Sequence, residues 1–556
     1  MAGSTIRVEL DGAMVETTAG LSVQQLLQQA APGRLGGDDP VVLASVNGRR
    51  VSLAETLTGD ERVRTLRSSH PLARTTVQRS VIFLLAAAAE DLFPGQELWV
   101  NFSYGGGVYV ELKRDEPLTA VEIAALQGRM GEIRDEDLAL VPQRLGMRAV
   151  LKIYERRGEH RNYRTARYLR RESLTLYRMQ GRDQLFYGRQ LPSTAKVGAF
   201  RLEPESPGFV LLIDTLGGGP GLPAYKPQPK LLQTLRDYTR WSETLDLADT
   251  GALNEWIVQG RTSELIQISE ARHAHFFVNA ARHVGDLPAQ GRLVLLAGPS
   301  SSGKTSSAKR LMVQLRVLGL KPFALSLDDY FVDREDTPRG ADGDYDFESL
   351  GALKVDLFNE HLQALMAGEE VHLPKFDFVS GRGLPAKEPT RVPRGQPLIV
   401  EGIHALNPAL TARIPSRDKI LIYVSALCHL NITNLSFIRT SHTRLFRRIV
   451  RDAQFRGYTA GETLARWPKV RHGEDAHIFP YQNNADLFFN SGLTYELAVL
   501  KLWAEPRLAA VPADDPNYGL ARTLIDLLAL LLPIDASQVP PTSLLREFIG
   551  GSGFSY

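Results

Sequence analysis

Apolar and polar positions alternate at the start of the chain, with Ile6, Val8 and Leu10 on one side of a predicted strand. A helix-like stretch at Ser22–Ala30 and strand candidates at Val41–Val46 and Arg62–Leu66 complete a small α+β unit over residues 1–67. A second unit, residues 68–215, begins with the helical run Thr76–Leu92. It continues through Phe93-Pro94-Gly95, a strand pair around Gly105–Gly107 and a charged helix. The Gly- and Pro-rich stretch Gly217–Pro229 interrupts regular structure and opens a linker and helical region over residues 216–285, helical from Leu231 to Val284. Apolar strands at Arg292–Ala297, Pro322–Leu327 and Pro397–Val400 then predict a parallel-sheet α/β domain over residues 286–510. The helix-like tail Leu520–Leu532, in an extension over residues 511–556, reads as a core stripe. The expected fold class is multidomain, α+β in the N-terminal half and α/β in the C-terminal half.

Composition narrows the function classes only slightly. The 65 basic and 63 acidic residues nearly cancel, so no global attraction to nucleic acid or membrane follows, and any basic surface is local. Cys428 is the single cysteine, which excludes internal disulfides and cysteine-rich zinc sites and suits a reducing compartment. Glu9, Asp11 and Glu16 interrupt the start of the chain where a signal peptide would be apolar. The longest apolar runs, Val81–Ala89 and Leu527–Leu532, fall short of the ~20 residues that span a bilayer. The expectation is a soluble, cytoplasmic protein with no membrane contact.

The most informative chemistry is GxxxxGKT at the end of a predicted strand. Gly298, Pro299, Ser300, Ser301, Ser302, Gly303, Lys304, Thr305 and Ser306 have the spacing of a phosphate-binding loop running into a helix. The glycines let backbone N–H groups turn inward around phosphate, and the helix adds its positive end. Lys304 would reach the β- and γ-phosphates of ATP, and the Thr305 hydroxyl would hold Mg²⁺. Two further apolar strands end in acids, Asp328 and Asp329 after one, Glu401 after the other. In a parallel sheet both ends lie beside the loop. There a carboxylate can accept a hydroxyl proton or bind metal, and Glu401 is placed like a Walker-B acid.

Further motifs resemble known families. Val46-Asn47-Gly48-Arg49-Arg50-Val51 is similar to the hairpin of TGS domains, the β-grasp unit at the front of threonyl-tRNA synthetases. Leu84–Pro94 and Gly188–Leu202 resemble the second additional, editing domain of those synthetases. The metal ligands of that domain fall on Arg79, Phe83, Phe186 and Gln190, which cannot assemble a zinc site, so hydrolytic editing is expected to be absent. Ten arginines lie between Arg156 and Arg189. Arg161, Arg164, Arg167 and Arg171 are spaced along one helix side, with Tyr163, Tyr168 and Tyr177 interleaved. This face suits either RNA phosphates or packing on a neighbouring domain. His273, His275 and His283 carry no metal-binding spacing and read as a polar face.

Ser326–Phe331, Asp344–Glu348, Pro374–Phe378, Glu401–His404 and Thr443–Asp452 resemble, in order and spacing, the uridine kinases of the uridine kinase/phosphoribulokinase group. The resemblance implies a P-loop NTPase fold, ATP and Mg²⁺, and transfer of the γ-phosphoryl group to the 5′-hydroxyl of a nucleoside. It makes Asp328 the catalytic base and a metal contact, with Thr305 and Glu401 as the other metal residues. Asp346 would bind ribose hydroxyls, Phe376 and Phe378 the base, and Arg448, Arg451 and Arg456 the transferring phosphoryl group and substrate. The histidine that reads the pyrimidine edge is replaced by Gly381, a lid arginine by Tyr458, and an acid by His442, which relaxes the expectation from uridine to a nucleoside. Trp467, Arg471 and Glu474 lie where a lid could be completed. Two alternatives stand beside this one: an RNA-binding regulator with a nucleotide-sensing loop, and a kinase of phosphorylated sugars. The expected partners are a small nucleoside, RNA through the N-terminal domains, and further copies of the chain.

Overall fold

The computed structural model describes residues 4–37, 39–186, 188–214, 221–288, 291–340, 343–377, 380–385, 388–427 and 430–555. Strand Thr5–Leu10 alternates exposed and buried residues as its sequence dictates, and it pairs antiparallel with Ala13–Thr18 and parallel with Glu61–Arg67. Val41–Val46 and Arg49–Val51 extend the sheet as an antiparallel hairpin. Helix Val23–Ala30 covers one face, started by a capping box in which Ser22 and Gln25 satisfy each other's backbone N–H. This is a β-grasp arrangement, with its own apolar core around Val8, Leu26, Ala44 and Val63.

The second unit packs helix Pro71–Leu92 against helix Ala120–Asp135 and a four-stranded antiparallel sheet. The helix starts at Pro71, five residues earlier than its apolar pattern indicates, because proline is well suited to a first helical turn and His70 accepts from the Leu72 N–H. The region that reads as one helical stretch after residue 230 is three helices, Pro229–Thr244, Thr250–Val258 and Thr262–Asp286.

The C-terminal sheet has five parallel strands in the order Phe323–Ser326, Leu398–Glu401, Leu293–Ala297, Lys419–Ser425, Leu487–Asn490. Its central strand is buried along its whole length, as a strand with both faces covered must be. Ala521, Leu524 and Leu528 of the tail helix pack in the same apolar cluster as Leu445 and Ile449 of helix Thr440–Phe455 and Trp256 of the preceding region. That continuous core fixes the C-terminal segment against helix Thr440–Phe455. Among the described residues, no helix is long and apolar enough to cross a membrane.

Candidate active site

The central strand, Leu293–Ala297, delivers the chain into a loop that only glycine can complete at two points. A Cβ on Gly298 would lie 1.9 Å from the Val424 carbonyl oxygen. Gly303 has φ of +86° and would meet Leu544 at 2.3 Å. Helix Lys304–Val317 follows directly, so its positive end faces the loop. Lys304 Nζ folds back to the carbonyls of Gly298 and Pro299, at 3.1 and 3.4 Å. The Ser301 and Ser302 hydroxyls are buried without partners among the described residues, so they can meet acceptor oxygens. These features fit a bound phosphate chain.

Around the loop the acids gather as their strand ends predict. Thr305 Oγ1 lies 3.3 Å from Glu401 Oε1, and Ser326 Oγ lies 3.4 Å from the same oxygen. Asp328 and Asp329 follow the first strand in a tight turn, Leu327–Tyr330. Asp328 is open to the cleft, yet ringed by protein; burial raises its carboxyl, Asp329 adds to the rise, and Lys304 opposes it. Burial likewise pushes Glu401 up to about 7, against the pull of Lys304. Thr305, Asp328 and Glu401 are hard oxygen donors of the kind that Mg²⁺ takes.

Helix Thr440–Phe455 presents its arginines to the loop. Arg448 donates to Ser300 Oγ at 2.7 Å. Arg448, Arg451 and Arg456 share Asp452, at 3.3, 2.8 and 3.7 Å. Two arginines that sequence reasoning passed over are closer to the loop backbone. Arg444 bonds the Ser300 carbonyl at 3.1 Å and Glu474 at 2.8 Å. Fully buried Arg447 reaches the Ser301 and Ser302 carbonyls, both at 3.4 Å, and pairs with Glu496. Their i, i+3 and i+4 spacing with Arg448 and Arg451 was the available signal, since it puts all four on one helix side. Glu474, also fully buried, accepts from Ser300 N at 3.0 Å and from Arg471 at 2.7 Å. It holds the loop from beneath.

The C-terminal segment adds a carboxylate for which the sequence predicts no role. Glu547, in the short helix Arg546–Ile549, accepts from Ser306 N at 3.3 Å and Ser306 Oγ at 2.5 Å. A carboxylate thus sits at the first turn of the loop helix.

On the acceptor side, Asp346 Oδ2 lies 3.6 Å from His477 Nε2, and the His477 ring is 6.0 Å from that of His404. Burial, with Glu474 nearby, pushes Glu348 up to about 7. Phe376 is buried: its ring packs 5.5 Å from Phe331 and only 7% of the residue is exposed. Phe378 lies outside the described residues. At Gly381 an added Cβ would meet the Arg334 side chain at 2.8 Å, so a guanidinium stands where the resemblance places a histidine.

Phe83 and Phe186 pack ring to ring at 5.3 Å, and Ser80 donates to Gln190 Oε1 at 2.7 Å, so an aromatic pair occupies two of the positions on which the resemblance places metal ligands. The arginine-rich helix ends at Arg167 and packs on neighbouring elements. Arg164 binds Asp249 at 3.0 Å and Asp246 at 2.9 Å, Arg161 lies 3.5 Å over the Trp99 ring, and Arg171 binds Asp526 at 2.5 Å. Arg178 and Arg182 pair with Asp183 and Glu90. Of the two expectations for this face, packing on neighbouring regions accounts for Arg164 and Arg171, while Arg161 lies over Trp99 of its own unit and Arg178 and Arg182 are held within that unit. His273 is buried with Nε2 3.1 Å from the Gly492 carbonyl.

Residues 293–498 match the family described as Phosphoribulokinase / Uridine kinase family. A uridine kinase of Deinococcus deserti is 27% identical over 213 residues, 38% of this chain and 93% of that protein. A threonine–tRNA ligase of Maricaulis maris is 31% identical over 189 residues, 33% of this chain and 29% of the ligase. The ligase likeness lies over the N-terminal region. The chain therefore spans about three-tenths of the length of this ligase. A solved structure described as a possible uridine kinase from Bacillus stearothermophilus covers 39% of this chain and 98% of its own, at 18% identity and a TM-score of 0.26.

Proposed function

Because residues 293–498 form a domain of the phosphoribulokinase and uridine kinase family, we propose that the protein transfers the γ-phosphoryl group of ATP to the 5′-hydroxyl of a nucleoside. The carrying observation is the meeting of Lys304, Thr305, Asp328 and Glu401 at the ends of adjacent parallel strands. The acceptor hydroxyl gives its proton to Asp328 as its oxygen bonds to the γ-phosphorus, and the bond to the β–γ bridging oxygen breaks to release ADP. A raised carboxyl suits a base, because proton affinity near the working pH favours transfer. Lys304 swings from the loop carbonyls to the phosphates, and Arg448 neutralises charge that develops on the transferring group. Mg²⁺, held by Thr305, Asp328 and Glu401, would supply charge neutralisation at the phosphate oxygens.

Arg334 beside Gly381 favours a second reading, a phosphorylated pentose as acceptor, since a guanidinium pairs with phosphate better than it reads a base edge. A panel of nucleosides and pentose phosphates, assayed for ADP release with Lys304→Met as control, separates the two. Turnover with nucleosides alone supports the first reading, and turnover with pentose phosphates alone replaces it. Stimulation only by tRNA would instead make the domain a nucleotide sensor.

A further inference from the structure

A group of cations lies where the β-grasp unit, the synthetase-like unit and the kinase domain meet. Arg50 belongs to the hairpin strand Arg49–Val51, Arg79 to helix Pro71–Leu92, Arg189 to the segment after strand Arg182–Leu185, and Arg439 to the cap of helix Thr440–Phe455. Their contacts form a chain. Arg189 Nε donates to the Arg50 carbonyl at 3.2 Å, and a Cβ on Gly188 would lie 2.4 Å from Arg79 Cζ. Gln78, next to Arg79, accepts from Arg439, and Arg50 donates to Thr523 of the C-terminal helix. All four arginines are partly buried.

What these guanidinia lack is a carboxylate. Among the described residues none of the four forms an ion pair; their partners are the neutral oxygens of Thr75, Gln78, Thr523 and the Arg50 carbonyl. Asp526, which acts on Arg50 from a distance, is bound to Arg171. Burial, and then Arg50 and Arg439, push Arg79 down to about 9, still a cation at neutral pH. His442, one turn into the helix, is pushed down to about 3 by burial and the same arginines, and so stays neutral. Two fully buried groups of the same region, Tyr177 Oη and Gln190 Nε2, have no hydrogen-bond partner among the described residues. Tyr177 acts on Arg79, and Gln190 is fixed by Ser80, the residue after Arg79. The arginine side chains and the Gln190 amide nitrogen present only donors, and Tyr177 can donate as well. Like charges gathered in a partly buried space destabilise the fold unless an anion neutralises them.

We propose that this junction binds a phosphate group carrying at least two negative charges, with Arg50, Arg79 and Arg439 as its cations and the Gln190 amide as a further donor. Guanidinium forks match phosphate oxygens two at a time, and several forks exceed what one carboxylate can neutralise. The phosphate belongs either to a free small molecule or to the end of an RNA strand. Its binding would tie the hairpin and helix Pro71–Leu92 to the helix that carries Arg444, Arg447 and Arg448 to the phosphate loop.

Thermal unfolding of the full chain tests the site, with millimolar pyrophosphate against chloride of equal ionic strength. Pyrophosphate should raise the midpoint of the wild type and of Lys304→Met, which weakens the other phosphate site. Arg79→Gln and Arg439→Gln should melt at or above the wild type without anion, because repulsion is relieved, and should show no rise with it. Arg79→Lys should keep part of the rise. A short RNA ending in phosphate, compared with the same RNA ending in a hydroxyl, identifies the source: a phosphate-dependent rise larger than that of pyrophosphate assigns the site to RNA, a smaller one to a free compound. A rise equal in the wild type and both glutamine variants, no rise in the wild type, or glutamine variants that melt below the wild type without anion would overturn the proposal. Loss of the effect in Lys304→Met alone would place the anion at the phosphate loop and overturn it as well.

Discussion

The protein holds two concentrations of arginine that follow opposite rules. Around the phosphate loop each buried or partly buried guanidinium has a carboxylate: Arg444 has Glu474, Arg447 has Glu496, and Arg448 and Arg451 share Asp452 with the more exposed Arg456. At the domain junction, Arg50, Arg79, Arg189 and Arg439 have only neutral partners among the described residues. Pairing makes the first set a frame in which Arg444 and Arg447 hold loop carbonyls in place. The second set is electrostatically incomplete, and its geometry persists because three domains pack around it. Burial alone therefore does not distinguish scaffold from ligand site; the presence or absence of a counter-charge does.

The sharpest break of this contrast comes from unpairing one arginine in the frame. Glu496→Ala leaves Arg447 charged and buried beneath Ser301 and Ser302, and the expected loss is about 3–5 kcal/mol. Urea-unfolding midpoints would show it, and an Arg79→Gln variant should show no comparable loss. If both lose stability equally, the two sets do not differ. Lys304→Met comes next. The lysine sits on the loop carbonyls without an acid partner among the described residues, so its removal should leave the melting midpoint unchanged while slowing turnover roughly 10²- to 10³-fold. Unaltered turnover would remove Lys304 from the reaction.

How much of this was legible in the sequence depended on whether a feature was local. The loop, its flanking strand and helix, and the acids at Asp328 and Glu401 are local patterns, because strand ends and glycine spacing determine where they lie. The β-grasp hairpin was legible for the same reason. Arg444 and Arg447 were visible as residues but not as loop supports, since Glu474 and Glu496 lie 30 and 49 residues away. The junction cluster is least legible, because Arg50 and Arg439 come together only when three units pack. The arginine-rich stretch after Arg156 shows the reverse case, a conspicuous charge run whose partners, Asp246, Asp249 and Asp526, lie on distant elements.

A pH dependence sharpens the contrast from the acidic side. Glu348 faces Glu474 and Asp346 as well as Lys304 and Arg448, and burial holds it near 7, above its ordinary 4.5. A carboxyl raised in the folded state binds its proton more tightly there than in the unfolded chain. Its stabilising contribution is therefore present in full below about 4.5 and is lost as pH rises to about 7. Because the side chain is partly open to solvent, a loss of about 1–2 kcal/mol is expected across that window. Glu348→Gln should flatten the fall in melting midpoint between those pH values. An unchanged slope would show that the Glu348 carboxyl titrates normally, and that the acids of the cleft are neutralised as completely as its arginines.

The smallest effect concerns Glu547, a carboxylate that meets the first turn of the loop helix and has no arginine partner among the described residues. It takes the Ser306 N–H and hydroxyl at the positive end of the loop helix, where an incoming phosphate would find the same donors. Anion and carboxylate then compete for one place, and their mutual repulsion weakens nucleotide binding. Glu547→Gln keeps the size of the side chain and removes its charge, so ATP should bind more tightly by about 0.3–1 kcal/mol, a few-fold in KM. The effect should shrink in high salt, which screens the repulsion. A KM that rises instead would mean that the carboxylate shapes the loop for phosphate, making Glu547 a third acid of the frame alongside Glu474 and Glu496.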